Sequence, residues 1–307
     1  MNILKLRWTS IAWSIVYLLL LLSLKSPLVV ITTFFMLLPG VVLFTLLPLR
    51  SFIVHMIPVL VIVAWLAGPA YVMLSVFFLI PSILMGLAYK RRAAAFKAIA
   101  LGAGAILVEF LLVLLVSKAL FDFNLSEVIE NTFNMTAAPL EGMSGETVAG
   151  SMGWSPDAIE QLSQLTVRLL PFTLSVCSLV IAWVAHGLAR PTLASLGQVV
   201  PKLQPLRTWK LPRSLVWYYL AALLISMFTS TGSGFLSTVL LNIIPMLGFC
   251  FMVQTASFFF YLAYHRKWNA LIPVALIIVM LFFQPLRIIG ILDILFPLRD
   301  KISRSGR

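Results

Sequence analysis

Residues Ala98–Lys118 read AIALGAGAILVEFLLVLLVSK, a run with one ionisable group, Glu109, before Lys118 closes it. At 1.5 Å per residue a helix of this length spans about 31 Å, which matches the ~30 Å hydrocarbon core of a bilayer. Directly after it the character of the chain inverts. Between Ala119 and Thr166 there is no Lys or Arg, and seven of the ten acidic residues fall there: Asp122, Glu127, Glu130, Glu141, Glu146, Asp157 and Glu160. Apolar runs resume on the far side. This is the pattern of a polytopic membrane protein with a single substantial polar loop.

The rest of the 307 residues agree. Hydrophobic residues make up 61% of the chain and charged residues 10%, with a mean hydropathy of +1.06, whereas a soluble domain carries roughly 25% charged residues. Backbone groups in lipid must be satisfied internally, and a barrel would show alternating polarity, so the runs are expected to be helices. The fold class is therefore all-α, a polytopic transmembrane helix bundle. Charges and turn residues place spans near 8 to 24, 27 to 48, 51 to 66, 69 to 89, 98 to 118, 167 to 189, 214 to 231, 236 to 264 and 269 to 289. No small-residue cleavage site follows Ile11–Leu24, and the first run is read as a retained helix. Pro39, Pro81, Pro171, Pro245 and Pro273 lie within or near the ends of these runs and are expected to kink them. Cys177 and Cys250 both sit in apolar runs and imply neither a disulfide framework nor a metal site.

Basic residues close to span ends mark cytoplasmic loops. Lys5 and Arg7, Arg50, the Lys90-Arg91-Arg92 and Lys97 group, the Arg190 to Arg213 group, and Arg266 with Lys267 all fall on one side if spans alternate. The N-terminus is then cytoplasmic, and the acidic loop 119–166 lies outside the plasma membrane of a bacterial cell. Arg299, Lys301, Arg304 and Arg307 break the alternation if nine spans are real. Eight spans would put both ends inside. The net charge of +12 lies mostly at membrane edges, where it orients helices and meets anionic headgroups. Nucleic-acid binding is not implied.

Within the loop, Leu125, Val128, Ile129, Thr132 and Phe133 recur at helical spacing and predict a short amphipathic helix. Pro139, Gly142, Gly145, Gly150 and Gly153 predict an irregular centre. A second helix is expected to start with Ser155 as N-cap, Pro156 at the first position and Asp157 near the positive end of the dipole, and to run on into the span near Val167. The loop reads either as a lid over an outward-facing site or as a solvated connection.

Four residues are candidate ligand-binding groups. Glu109 is the one acid deep in a clear span. An ionisable group at mid-bilayer costs at least ~2.5 kcal/mol on insertion scales and is usually turned inward, so Glu109 reads as a site for a cationic group or a proton, or as a protonated or paired structural residue. Arg168 is placed to face an anionic ligand from the loop side, or to snorkel to water as Lys118 does. Asn242 and Gln254 are amides within the eighth span, where interhelical hydrogen bonding is the ordinary role. Ala94, Ala98 and Gly102 recur every four residues on the fifth span and predict close helix packing. Arg287 and Asp293 are too far apart for a pair at i, i+4 spacing. No catalytic constellation emerges: His55, His186 and His265 lie at separate span ends, and no phosphate-binding glycine loop precedes a Lys-Ser or Lys-Thr pair. The chain is expected not to be an enzyme and to carry no cofactor or metal.

The run Leu206-Arg207-Thr208-Trp209-Lys210-Leu211-Pro212-Arg213-Ser214-Leu215-Val216-Trp217 and the run Ile289-Gly290-Ile291-Leu292-Asp293-Ile294-Leu295-Phe296-Pro297-Leu298-Arg299 resemble the YybS-like family of bacterial membrane proteins, which carries a domain of unknown function. The resemblance takes in most of the chain, including the proline-bearing early spans and the Lys90-Arg91-Arg92 loop. The family more often has an acidic or aromatic pair where Phe296-Pro297-Leu298 stands. More distantly, the first six spans are similar to the S component of energy-coupling-factor transporters, which implies a six-helix core with a cavity opening outward. On that likeness residues 1–189 form the core, 190–213 a basic cytoplasmic loop and 214–307 an added membrane region of two or three spans. The small-residue docking face of S components has a faint counterpart in Ser10 and Ser14.

Two functions follow as expectations. The first is capture or transport of a small ligand together with a separate energising ATPase partner, since the chain carries no P-loop of its own. The alternative is a non-transporting envelope scaffold that docks partner proteins on its basic loop 190–213.

Overall fold

The computed structural model describes residues 3–144, 156–229, 234–296, 298, 299 and 302, and among these every regular element is helical. The chain divides into two compact units, residues 1–123 with 174–203 and residues 124–173 with 204–307.

The first unit holds α1 (Ile3–Ser23), α2 (Val29–Phe35), α3 (Leu37–Leu46), α4 (Leu49–Ala67), α5 (Pro69–Lys90) and α6 (Ala95–Phe121). Helix α3 is apolar on every side, and eight of its ten residues are buried, as expected of a helix at the centre of its unit. It meets α5 through small residues. A methyl group on Gly40 would lie 2.7 Å from Ser82 Oγ, and one on Gly86 would lie 2.8 Å from Phe44 Cδ1, so the glycines permit a backbone approach that lipid-embedded helices exploit. Tyr17 Oη donates to the Ser75 carbonyl at 2.8 Å and ties α1 to α5. Two of the three residues of the expected packing face of α6 are packed: Ala98 is fully buried and Gly102 lies against Met85 and Ala182, whereas Ala94 is exposed as the N-cap of the helix. Ser14 Oγ donates to the Ser10 carbonyl, and Ser10 Oγ lies 3.0 Å from His55 Nε2. Both serines of the expected docking face are thus engaged within their own unit.

The second unit holds α7 (Leu125–Ser144), the start of α8 (Pro156–Ser195), α9 (Ser214–Phe228), α10 (Phe235–His265), α11 (Leu271–Phe282) and α12 (Arg287–Leu295). Helix α8 gives residues up to Thr173 to this unit and those from Leu174 to the other. Helix α10 is the spine, with α9, α11, α12 and the 3-10 turn Leu206–Thr208 against it. A small core of Val216, Tyr219, Leu247, Phe251 and Ile294 joins them.

By length and composition the spanning helices among the described residues are Val29–Leu46, Leu49–Ala67, Pro69–Lys90, Ala95–Leu120, Asp157–Ser195 and Phe235–His265. Three expectations need amendment. The segment 269–289 is not one helix: α11 stops at Phe282, a 3-10 turn runs Gln284–Leu286, and α12 leaves at 120°. Pro285 lacks an N–H and cannot continue α11, while Phe283 adopts φ −112°, ψ 79°. Second, Trp8–Ser23 and Ser214–Phe228 are apolar but shorter than the other spans; 15 residues in the latter rise only about 22 Å. Third, α7 continues past Pro139 and Gly142 to Ser144, where an irregular centre was expected. Its exposed flank, including Asn134, Met135 and Thr136, lets water take up the carbonyls that a proline frees. Gly145, Gly150, Gly153 and Ser155 lie outside the described residues. The predicted start of α8 at Pro156, with Asp157 in its first turn and continuous helix through Val167, is present.

Candidate functional site

Glu109 lies on α6, seven residues beyond Gly102 and three beyond Ile106, both buried, and so continues the packed face of the helix. Its neighbour Phe110 meets Phe77 edge-to-face at 4.9 Å, while Val108 and Leu112 are exposed. Both carboxyl oxygens of Glu109 are shielded from solvent, and neither has a hydrogen-bond partner among the described residues. A carboxylate so placed either carries a proton or awaits a cation, because a bare charge in hydrocarbon is costly.

The first unit holds a second group of this kind. Tyr89 Oη lies 2.7 Å from His186 Nδ1, and His186 is 3% exposed. Its Nε2 and the Nε of Arg190, one turn further along α8, lack partners among the described residues.

Arg168 and Asn242 meet in the second unit. The Asn242 side chain donates from Nδ2 to the Arg168 carbonyl at 2.7 Å and to the Thr238 carbonyl at 2.8 Å, and its Oδ1 accepts from the Phe172 N–H at 2.9 Å. Arg168 C=O and Phe172 N–H are the pair that an undisturbed helix joins directly at i, i−4 spacing. The amide therefore sits across the α8 ladder beside Pro171 and satisfies both groups. The Arg168 guanidinium reaches Ser237 Oγ and, at 3.4 Å, Thr238 Oγ1 on α10.

Gln254 belongs to a different cluster, built where the two sequence motifs converge. Its Oε1 accepts from the Leu211 N–H at 3.0 Å, and its Nε2 donates to Asp293 Oδ2. Asp293, 1% exposed, is bound by Arg299 through Nε at 3.0 Å and Nη2 at 2.6 Å. This is the only ion pair among the described residues. Arg299 also donates from Nη1 to the Arg207 carbonyl at 2.8 Å and from Nη2 to Ser257 Oγ at 3.0 Å, and Ser257 donates to the Trp209 carbonyl at 2.8 Å. The result is a clasp that pins segment 207–211, the end of the 3-10 turn and the residues after it, to α10 and α12. Closure depends on Gly290, whose N–H donates to Thr255 Oγ1 at 3.0 Å and where a side chain would strike the Phe251 carbonyl.

The four candidate residues are therefore not gathered in one place. Glu109 is in the first unit, Arg168 and Asn242 share one junction of the second, and Gln254 is in the clasp. Asp293, Arg299 and Ser257 were not singled out from sequence as a cluster. One signal was available: Asp293 is the sole acid between Glu160 and Asp300, and an isolated acid amid apolar residues needs a partner. Among the described residues no group of three His, Cys, Asp or Glu could hold a metal ion.

Comparison with known proteins is consistent with this architecture. The Uncharacterized protein YybS of Bacillus subtilis (strain 168) is 26% identical over 168 residues, which cover 52% of this chain and 54% of that protein, so the match spans about half of each. No solved structure gives a significant match. The family described as Predicted membrane protein (DUF2232) matches residues 14–294, a range that takes in both converging motifs up to Ile294, and the chain belongs to that family.

Proposed function

We propose that the protein captures or moves a small ligand within the bilayer, with a separate energising protein as partner, and that Glu109 is the group through which a cation or proton is coupled. The observation that carries this reading is the shielded, unpartnered carboxyl of Glu109 on a helix long and apolar enough to span a membrane. Ionisable residues kept at such depth at a cost of at least ~2.5 kcal/mol mark pathways and proton relays more often than scaffolding. The 307 residues carry no P-loop, so active movement draws its energy from elsewhere, and no reaction step is assigned to the chain itself.

The reading includes a topology. With the bent pair α11–α12 entering and leaving on one side, eight spans cross the bacterial plasma membrane, both ends are cytoplasmic, and loop 119–166 is outside. The 120° turn at Phe283 supports eight over nine, as does the basic C-terminal tail.

Native mass spectrometry of detergent-purified protein tests the main claim. Wild type is expected to retain a stoichiometric small molecule that folded Glu109→Gln loses; retention by both removes Glu109 from the role, and an empty wild type removes capture. The scaffold alternative rests on the clasp, which presents Lys210 and Arg213 on an ordered segment suited to docking a partner. Co-purification of envelope proteins that is lost on Lys210→Glu/Arg213→Glu, with no small molecule bound, favours it.

A further inference from the structure

The second unit carries a groove of about 320 Å³ beside the clasp, walled by Leu206, Arg207, Phe260, Tyr264, Trp268 and Pro273. Arg207 is fixed there at both ends. Its carbonyl accepts from Arg299 Nη1 at 2.8 Å, and its guanidinium carbon lies 3.8 Å from the centre of the Tyr264 ring. Stacking occupies one face of the guanidinium and leaves its coplanar N–H edge available, in the fork geometry that matches a phosphate or carboxylate. No acid neutralises it among the described residues. From Gln204 to Arg299 the one acid is Asp293, which Arg299 already binds, while Lys210, Arg213, Arg266 and Lys267 add positive charge nearby in sequence. Tyr264 and Trp268 are residues of the water–lipid boundary, and the walls below them, Phe260 and Pro273, are apolar. A soluble anion would leave those walls unfilled. An amphiphile with an anionic head and a hydrocarbon tail would cover both parts.

We infer that this groove binds an anionic phospholipid, its headgroup phosphate on the Arg207 guanidinium and one acyl chain along Phe260 and Pro273. The site does not depend on the role of Glu109 and holds for either leaflet.

The test reconstitutes the whole chain in vesicles containing equal amounts of phosphatidylcholine and phosphatidylglycerol of matched chains, then counts retained lipids by native mass spectrometry. Phosphatidylglycerol is expected to be the first lipid retained, about tenfold over phosphatidylcholine, because both offer a phosphate but the choline cation of the latter cancels its net charge and is repelled by Arg207 and the neighbouring Arg266 and Lys267. Arg207→Gln should erase that preference, Arg207→Lys should keep part of it, and the double variant Arg266→Gln/Lys267→Gln should keep most of it, which separates the groove from a diffuse basic surface. Equal retention of the two lipids by wild type overturns the inference without any variant. So does a preference that survives in folded Arg207→Gln, or complete displacement of the lipid by equimolar glycerol phosphate, which would make the ligand a free phosphate.

Discussion

The two units treat their buried polar groups in opposite ways. In the second, Asp293, Arg299, Gln254, Ser257 and Asn242 are joined to one another or to backbone carbonyls and N–H groups, with no buried side-chain nitrogen or oxygen left over among the described residues. In the first, Glu109, His186 and Arg190 retain unpartnered atoms. A buried network that is fully satisfied fixes a structure, and a half-satisfied one is a cost that persists where something else is bound or moved. Changes in the second unit are therefore expected to appear as lost stability, and changes at Glu109 as lost binding.

Arg299→Ala should produce the largest effect. It leaves the Asp293 carboxylate buried and unpaired and frees segment 207–211, at a cost of about 3–5 kcal/mol, measurable as reversible unfolding in mixed micelles. A loss below about 1 kcal/mol would break the contrast. Gly290→Ala comes next, because the added methyl drives α12 away from the Phe251 carbonyl and Thr255; overpacking of this kind costs about 1–3 kcal/mol, and the same unfolding curve reads it. Asn242→Ala should cost about 0.6–1.7 kcal/mol, the range for interhelical hydrogen bonds in a membrane. The Pro171 junction is also expected to lose hydrogen-exchange protection at Phe172. Smallest is the stability change of Glu109→Gln, within about 0.5 kcal/mol of wild type because no partner is lost.

Much of the fold was open to reading because lipid imposes length. Runs such as Ala98–Lys118 and Phe235–His265 announce themselves by hydropathy, and the Pro156-Asp157 start of α8 by capping chemistry. The break at Phe283 was not, since apolar residues continue on both sides of it and hydropathy carries no direction; Pro285 was the available clue. Nor did Pro139 end α7, because an exposed helix can leave its freed carbonyls to water. At the site, Asn242 and Gln254 do make the interhelical hydrogen bonds that amides in a span imply. Their partners at Arg168 and Phe172, 70 or more residues away, and at Asp293, 39 residues away, are set by packing and leave no local trace. Glu109 was conspicuous by charge alone, yet its lack of a partner emerges only once the helices are assembled.

The most direct test sets two near-isosteric changes side by side, Asp293→Asn and Glu109→Gln, and measures the unfolding free energy of each in one lipid-detergent mixture. Each removes one carboxylate and little volume. The account predicts a loss of about 3–5 kcal/mol for Asp293→Asn, whose Arg299 is left without its counter-charge, and no resolvable loss for Glu109→Gln. Equal losses at the two positions would contradict it, for Glu109 would then be bound into the fold as firmly as Asp293.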